Sequence, residues 1–265
     1  MKRVMKALRL AGYKEVTGIT GVHDSGGDTG KLRKKFNIPA VGDIREVIAE
    51  LSGVYQLNYK VPKWHKVGNY FLMLLTKRYG IVKATEILEE MFELKYKILP
   101  VSNSQTNLVA ETDSGLIEGE HLIEKCGCKI RKIRLRPTVH ANKIVLRYIK
   151  DSEWVIFSPG SLYTSILSLL LYRGMRKALK SVNNKLIIVN LARDLETTHI
   201  KFLSEYLDEF RKFGIDEFFV LVDSKERKWS IKKDVVGNNI FSFDVSEGKY
   251  HDEKKLSIAL KKIIR

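Results

Sequence analysis

Trp154-Val155-Ile156-Phe157-Ser158-Pro159-Gly160-Ser161-Leu162-Tyr163-Thr164-Ser165, then Lys185-Leu186-Ile187-Ile188-Val189-Asn190-Leu191, then Phe218-Phe219-Val220-Leu221-Val222, are the runs that decide the fold. Each contains a short, nearly unbroken apolar stretch, the signature of a strand covered on both faces. Residues 165–179 and 199–213 lie between them, and their apolar positions recur at helical spacing. Strand, helix, strand, helix, strand is the order of βαβ crossovers. The sequence therefore predicts an α/β fold: a Rossmann-like, mostly parallel sheet flanked by helices.

Upstream, residues 2–12 read as a helix through Val4, Leu8 and Ala11, and 16–22 as a short β-prone run. Residues 23–30 form a glycine-rich turn. Residues 42–51, 67–78 and 83–95 read as helices, the last two separated by Gly80. Residues 108–123 read as a hairpin about Asp113-Ser114-Gly115, and 129–135 as a further strand. Downstream, 253–264 is a closing helix. Five prolines and the lack of any repeat or linker leave no boundary along 265 residues. One nucleotide-binding domain over 1–265 is expected, with a β-hairpin elaboration at about 100–136.

Apolar residues make up 44% of the chain, which implies a packed core, and no apolar run is long enough to cross a membrane. The basic start lacks an uncharged apolar stretch and a cleavage site, so a cytoplasmic protein is expected. The two cysteines, Cys126 and Cys128, stand one residue apart, a spacing that on an extended strand makes a mutual disulfide awkward. They are read as plain thiols. The 47 Lys+Arg against 31 Asp+Glu give a net charge of +16, which raises the question of a polyanionic partner. The basic residues are dispersed. The densest stretch, 125–136, alternates with Ile130, Ile133 and Leu135 as a strand with one solvated basic face, so nucleic acid is disfavoured.

Ligands of open parallel sheets bind beyond the carboxyl ends of the strands, where helix N-termini present unpaired N–H groups. Two turns have that character. In the first, Gly26, Gly27 and Gly30 let a ligand approach the backbone, Thr29 offers a hydroxyl and Arg33 a bidentate grip on phosphate. Asp24 could accept a sugar hydroxyl or hold Mg²⁺. In the second, Gly160, Ser161, Tyr163, Thr164 and Ser165 follow a strand, and their hydroxyl and N–H groups suit both helix capping and phosphate binding. Asp43 and Arg45 flank a helix start, where Asp43 also reads as a residue favoured by the dipole. His65, Gly68 and Asn69 precede another helix, and Asn190 ends a buried strand. No triad, paired-carboxylate spacing or metal cluster is visible, so no catalytic residue is assigned.

Residues 22–33 with Pro39-Ala40-Val41-Gly42-Asp43-Ile44-Arg45 resemble the Asp-Asp-Gly-Gly-Ser-Thr-Gly-Arg-Leu-Arg … Pro-Pro-Gly-Asp-Ile-Arg signature of the gluconeogenesis factor family, within the 2-phospho-L-lactate transferase-like superfamily. His65-Lys66-Val67-Gly68-Asn69, Ile98-Leu99-Pro100-Val101, residues 158–166, Ile188-Val189-Asn190-Leu191 and the stretch from His251-Asp252 to Leu260 follow it in order. The resemblance implies a nucleotide or nucleotide-sugar ligand, UDP-N-acetylglucosamine in the regulatory branch, and leaves a homodimer open. The transferase branch moves a phosphoester-linked three-carbon acid from a guanosine dinucleotide-like donor to a deazaflavin precursor with Mg²⁺. It carries Gly-Pro-Ser-Asn-Pro where this chain has Ser158-Pro159-Gly160-Ser161-Leu162, so the chain sides with the regulatory branch. If it is an enzyme, it transfers phosphorus-containing groups. The family begins with a strand and a glycine loop, which the resemblance places upstream of Met1. Ser25 replaces the second acidic residue, which weakens any Mg²⁺ assignment, and Trp64 and Ser158 replace glycines, changes expected to reshape the pocket.

Overall fold

The computed structural model describes residues 1–61, 65–225 and 227–264. The chain opens with α1 (Lys2–Leu10), β1 (Thr17–Thr20), α2 (Gly27–Phe36), α3 (Gly42–Ser52), α4 (Val67–Tyr79), α5 (Ile81–Met91) and β2 (Lys97–Pro100). β3 (Asn107–Thr112), β4 (Gly115–Glu118), α6 (Glu120–Lys125), β5 (Ile130–Arg136) and α7 (Lys143–Asp151) follow. Then come β6 (Trp154–Phe157), α8 (Met175–Lys180), β7 (Asn184–Ile188), α9 (Leu203–Lys212) and β8 (Phe219–Asp223). β9 (Ile240–Phe243), β10 (Ser246–Glu247), β11 (Tyr250–His251) and α10 (Glu253–Ile263) complete the chain.

The predicted parallel sheet is present as β6-β7-β8-β9, all parallel, with Trp154 opposite Asn184 and Leu186 opposite Phe219. Its alternation explains the continuous apolar runs. Leu186, Ile188 and Leu221 point into a layer with Val4 and Ala7 of α1 and Leu256, Ala259 and Leu260 of α10. Ile187, Val220 and Val222 point the other way, into the main core with Tyr206 and Phe210 of α9. Each such side chain contributes roughly 1.5–3 kcal/mol by leaving water. β1 pairs in parallel with β2.

The elaboration is a three-stranded antiparallel sheet in the order β4-β3-β5. The expected hairpin turns at Asp113–Ser114, but its second arm stops at Glu118. Gly119 takes a φ of 108°, and the chain turns there into α6. β5 buries Ile130, Ile133 and Leu135 and exposes Arg131, Lys132, Arg134 and Arg136, the basic face expected. Arg134 and Arg136 pair with Glu111 and Glu118, which locally neutralises that face.

Three readings needed correction. Residues 165–179 are not one helix. A single π turn (Leu162–Ile166) passes into a 3-10 stretch (Leu167–Leu171), and α8 begins only after Gly174, whose φ is 97°. Leu162, Ile166, Leu167 and Leu170 are all buried, so the segment is packed on more sides than a one-faced helix allows. The helix in 199–213 starts at Leu203, after a 3-10 turn capped by Asp194. The cysteines are not on a strand: they flank Gly127 in the bend between α6 and β5. No helix among the described residues is long and apolar enough to cross a membrane.

Candidate functional site

β1 ends at Thr20, and the next residues form the Asp24–Gly26 bend that launches α2. Asp24 Oδ1 accepts the Gly26 N–H at 2.7 Å, a local turn that fixes the bend. The bend leaves α2 without a side-chain cap, and α3 starts uncapped as well. Both N-termini, with their unpaired N–H groups and positive dipole ends, border one cleft of about 350 Å³. Two glycines are set by close approach. A Cβ on Gly30 would run into the Ser25 carbonyl, and one on Gly42 into the Thr29 hydroxyl, with Asp24 Oδ2 at 3.3 Å.

The cleft is lined by Asp24, Gly26, Gly27, Asp28, Thr29, Gly42, Asp43, Arg45, Glu46, Lys60, Lys66 and Asn69. Its organising group is Asp28. The carboxylate accepts from the Lys66 N–H at 2.9 Å, from Asn69 Nδ2 at 2.7 Å and from His65 Nδ1. Burial works to raise this carboxyl, but the three donors outweigh it and hold it below the usual carboxylate range. Asn69 Oδ1 in turn accepts from Arg45 Nε at 3.1 Å, and Arg45 also donates to Asn58. A Cβ on Gly68 would come within 2.6 Å of Arg45 Cγ, so Gly68 makes room for that side chain. Trp64 lies outside the described residues.

Acids crowd the floor of the cleft. Burial, with the charges of Asp24 and Glu46, pushes Asp43 up to about 7. Glu120 of α6, which does not line the cleft but lies beside Asp24, is driven far up by burial and by the charge and hydrogen bond of Asp24, so it stays protonated. Among the described residues, no group of three or more His, Cys, Asp and Glu side chains is arranged to hold a metal ion. Asp24, the Mg²⁺ candidate, already engages Gly26 and Glu120. The residues present do not make a magnesium site, and no chemistry is assigned to one.

The second bend is built differently. Asn190 clasps Gly160 from both sides, its Nδ2 donating to the carbonyl at 2.7 Å and its Oδ1 accepting the N–H at 2.9 Å. The N–H groups of Tyr163 and Thr164 donate to Glu196 Oε2 at 2.9 and 3.2 Å, and the Thr164 hydroxyl donates to Oε1. Tyr163, Thr164 and Glu196 are all buried, and the Tyr163 ring stacks on His199 at 6.3 Å. The expectation that Thr164 and these N–H groups serve phosphate is corrected: an internal carboxylate holds them. Asn190 likewise braces the turn instead of facing the cleft. Ser161 and Gly160 are half-buried and Ser165 is exposed, and none of the three lines the cleft.

The two bends are nevertheless neighbours, joined through the buried His23. Its Nε2 donates to the Thr164 carbonyl and its Nδ1 accepts from the Tyr172 hydroxyl, both at 2.9 Å. Arg33 secures the same segment from below. It donates to the carbonyls of His23, Asp24 and Thr106 at 3.0, 2.7 and 2.6 Å and to Asn107 Oδ1 at 3.2 Å. With only 6% of its surface exposed, its guanidinium is a brace for the bend and not the phosphate grip expected.

Of the residues singled out in the sequence, Asp24, Gly26, Gly27, Thr29, Asp43, Arg45 and Asn69 meet in the cleft, with Gly30, His65 and Gly68 behind them. Asp28, Glu46, Lys60, Lys66, Glu120 and Glu196 were missed. Asp28 stands inside the glycine-rich stretch but reads as an ordinary first-turn acid. Lys60 and Lys66 bracket His65, a spacing that could have drawn them in. Glu196 carries no local signal.

The family model described as "2-phospho-L-lactate transferase CofD" matches residues 1–258. The chain belongs to the CofD family. A Thermotoga maritima protein described as "Putative gluconeogenesis factor" is 35% identical over 245 residues, spanning 85% of this chain and 76% of that protein. The "Gluconeogenesis factor" of Bacillus subtilis is 30% identical over 214 residues, spanning 73% of this chain and 68% of its own. A crystal structure of a UPF0052-family protein from Bacillus halodurans superposes with a TM-score of 0.88 at 25% identity, covering 98% of this chain and 94% of that one. Membership of the CofD family and the α/β architecture are thereby settled together.

Proposed function

We propose that this CofD-family chain is a cytoplasmic regulatory factor of carbon metabolism or the cell envelope that binds a nucleotide-sugar of the UDP-N-acetylglucosamine class. The observation that carries this reading is the convergence of two uncapped helix N-termini, α2 and α3, on one cleft that also holds Lys60 and Lys66. N–H groups at positive dipole ends suit a diphosphate, and the lysines add the countercharge. Asp24 and Asp43 suit the hydroxyls of a ribose or sugar. The similarity to gluconeogenesis factors favours the regulatory branch. Calorimetric titration with a panel of UDP-sugars, UDP and GDP tests it. Saturable binding of at least one UDP-sugar is expected, and silence from the folded protein across the panel would overturn it.

The Asp28–His65 pair supports a second reading, a phosphoester transferase. A carboxylate on Nδ1 fixes the tautomer and orients Nε2 as an acid or base. Incubation with a phospholactate-type dinucleotide donor and a deazaflavin acceptor, followed by mass spectrometry, decides it. Absence of product with and without added Mg²⁺ rejects the transferase.

A further inference from the structure

The bend between α6 and β5 carries Cys126-Gly127-Cys128. On an extended strand, residues two apart lie on the same face with their Cα atoms about 6.6–6.8 Å apart, at the far limit of what a disulfide spans. Here the backbone does something else. Cys126 is helical, at φ −68° and ψ −26°, as the residue closing α6. Gly127 then takes a φ of 62°, a conformation a side chain would resist. The chain doubles back, and the Cys128 N–H donates to Cys126 Sγ at 3.1 Å. Burial first, and then the neighbouring Cys128 thiol, raise the Cys126 thiol above its ordinary value.

Both cysteines are free and half-buried, between exposed Lys125, Gly127 and Lys129. A partly exposed, electropositive setting is where thiol exchange occurs. We propose that Cys126 and Cys128 form a reversible dithiol–disulfide pair that reacts with small-molecule disulfides of the glutathione type. Cys128, as thiolate, attacks one sulfur of the small disulfide. That S–S bond breaks and one thiolate leaves. Cys126 then gives up its proton and attacks the Cys128 sulfur of the mixed disulfide, expelling the second thiolate. The protein loses two electrons and two protons, and the small disulfide becomes two thiols. The pair is placed to be felt at the cleft. The six-residue helix that Cys126 caps begins with Glu120 beside Asp24, and its His121 N–H lies 3.4 Å from Ser25 Oγ.

The full chain, reduced and then equilibrated with glutathione disulfide, is denatured, alkylated and digested with trypsin. The peptide Cys126-Gly127-Cys128-Lys129 is expected unalkylated and two hydrogens lighter, and restored by dithiothreitol. The Cys126→Ser and Cys128→Ser variants are expected to stop at a glutathione adduct on the remaining thiol. Overturning outcomes are a doubly alkylated peptide, stable glutathione adducts on the unsubstituted chain, or cross-links between chains.

Discussion

Glu196 lays its carboxylate against the N–H groups of Tyr163 and Thr164, at 2.9 and 3.2 Å, where β6 hands over to the π turn. A strand exit of a parallel sheet is an anion-seeking place, and here the anion is supplied by the chain itself. Burial is the dominant influence on this group and pushes it up to about 7, against the donors that pull it down.

That balance sets a pH dependence. Because the folded value lies above the ordinary carboxyl value of 4.5, the unfolded chain loses this proton first as pH rises. Stability linked to Glu196 is therefore full below about pH 4.5, declines toward about pH 7 and is level above it. Glu196→Gln is expected to lessen that decline by on the order of 1–3 kcal/mol, leaving the part due to Asp43 and Glu120. Urea unfolding at several pH values reads it. An unchanged or steeper slope contradicts the assignment.

Asp28 behaves oppositely. Its folded value is depressed, so its contribution is present above the unfolded carboxyl value and is lost as pH falls through the folded one. Asp28→Asn keeps the volume but turns an amide toward donors. A loss of about 1–3 kcal/mol at neutral pH is expected, together with a weaker acid-induced fall in stability. Thermal and urea unfolding of the two proteins make the comparison.

Arg33→Ala is expected to destabilise by roughly 2–4 kcal/mol, because three backbone carbonyls lose a charged donor in a buried place. Arg33→Lys recovers only part, since an ammonium cannot fork between β1's exit and Thr106. In the fraction that remains folded, affinity for a UDP-sugar is expected to be unchanged. A selective loss of affinity at full stability would restore Arg33 to the ligand.

Gly42→Ala and Gly30→Ala separate site from scaffold. The new methyl at position 42 meets the Thr29 and Asp24 side chains, which can shift but only into the cleft. Ligand affinity should drop about tenfold or more, an effect of roughly 1.4 kcal/mol, with modest loss of stability. At position 30 the obstacle is the Ser25 backbone, which cannot yield cheaply, so unfolding at lower denaturant is expected. Equal effects at both positions would refute the distinction.

The sheet was legible because β7 and β8 are apolar at the positions that face a layer, Lys185 excepted, a demand of parallel packing that composition cannot hide. The first bend was legible through Gly26 and Gly30, whose absent side chains mark close approach, and Gly27, whose φ of 47° a side chain would resist. What the sequence could not disclose was direction. Arg33 and Asn190 are polar residues beside a bend, and nothing in their neighbours says whether they turn toward a ligand or back onto carbonyls. Glu196 is thirty-two residues from the hydroxyl it binds, a partnership made only by tertiary packing. The 162–171 segment misled because its apolar run fits helical periodicity, although burial on more than one face lets π and 3-10 turns stand in for a regular helix.

His23 uses both ring nitrogens, donating to the Thr164 carbonyl and accepting from Tyr172, and burial lowers its affinity for a further proton. One imidazole thus acts as a strut between two strand exits that lie more than a hundred residues apart in the chain. Through that rigid ring, a displacement that begins where Glu196 sits is carried to the bend that holds Asp24. The nitrogen resonances of that ring would report on both ends at once.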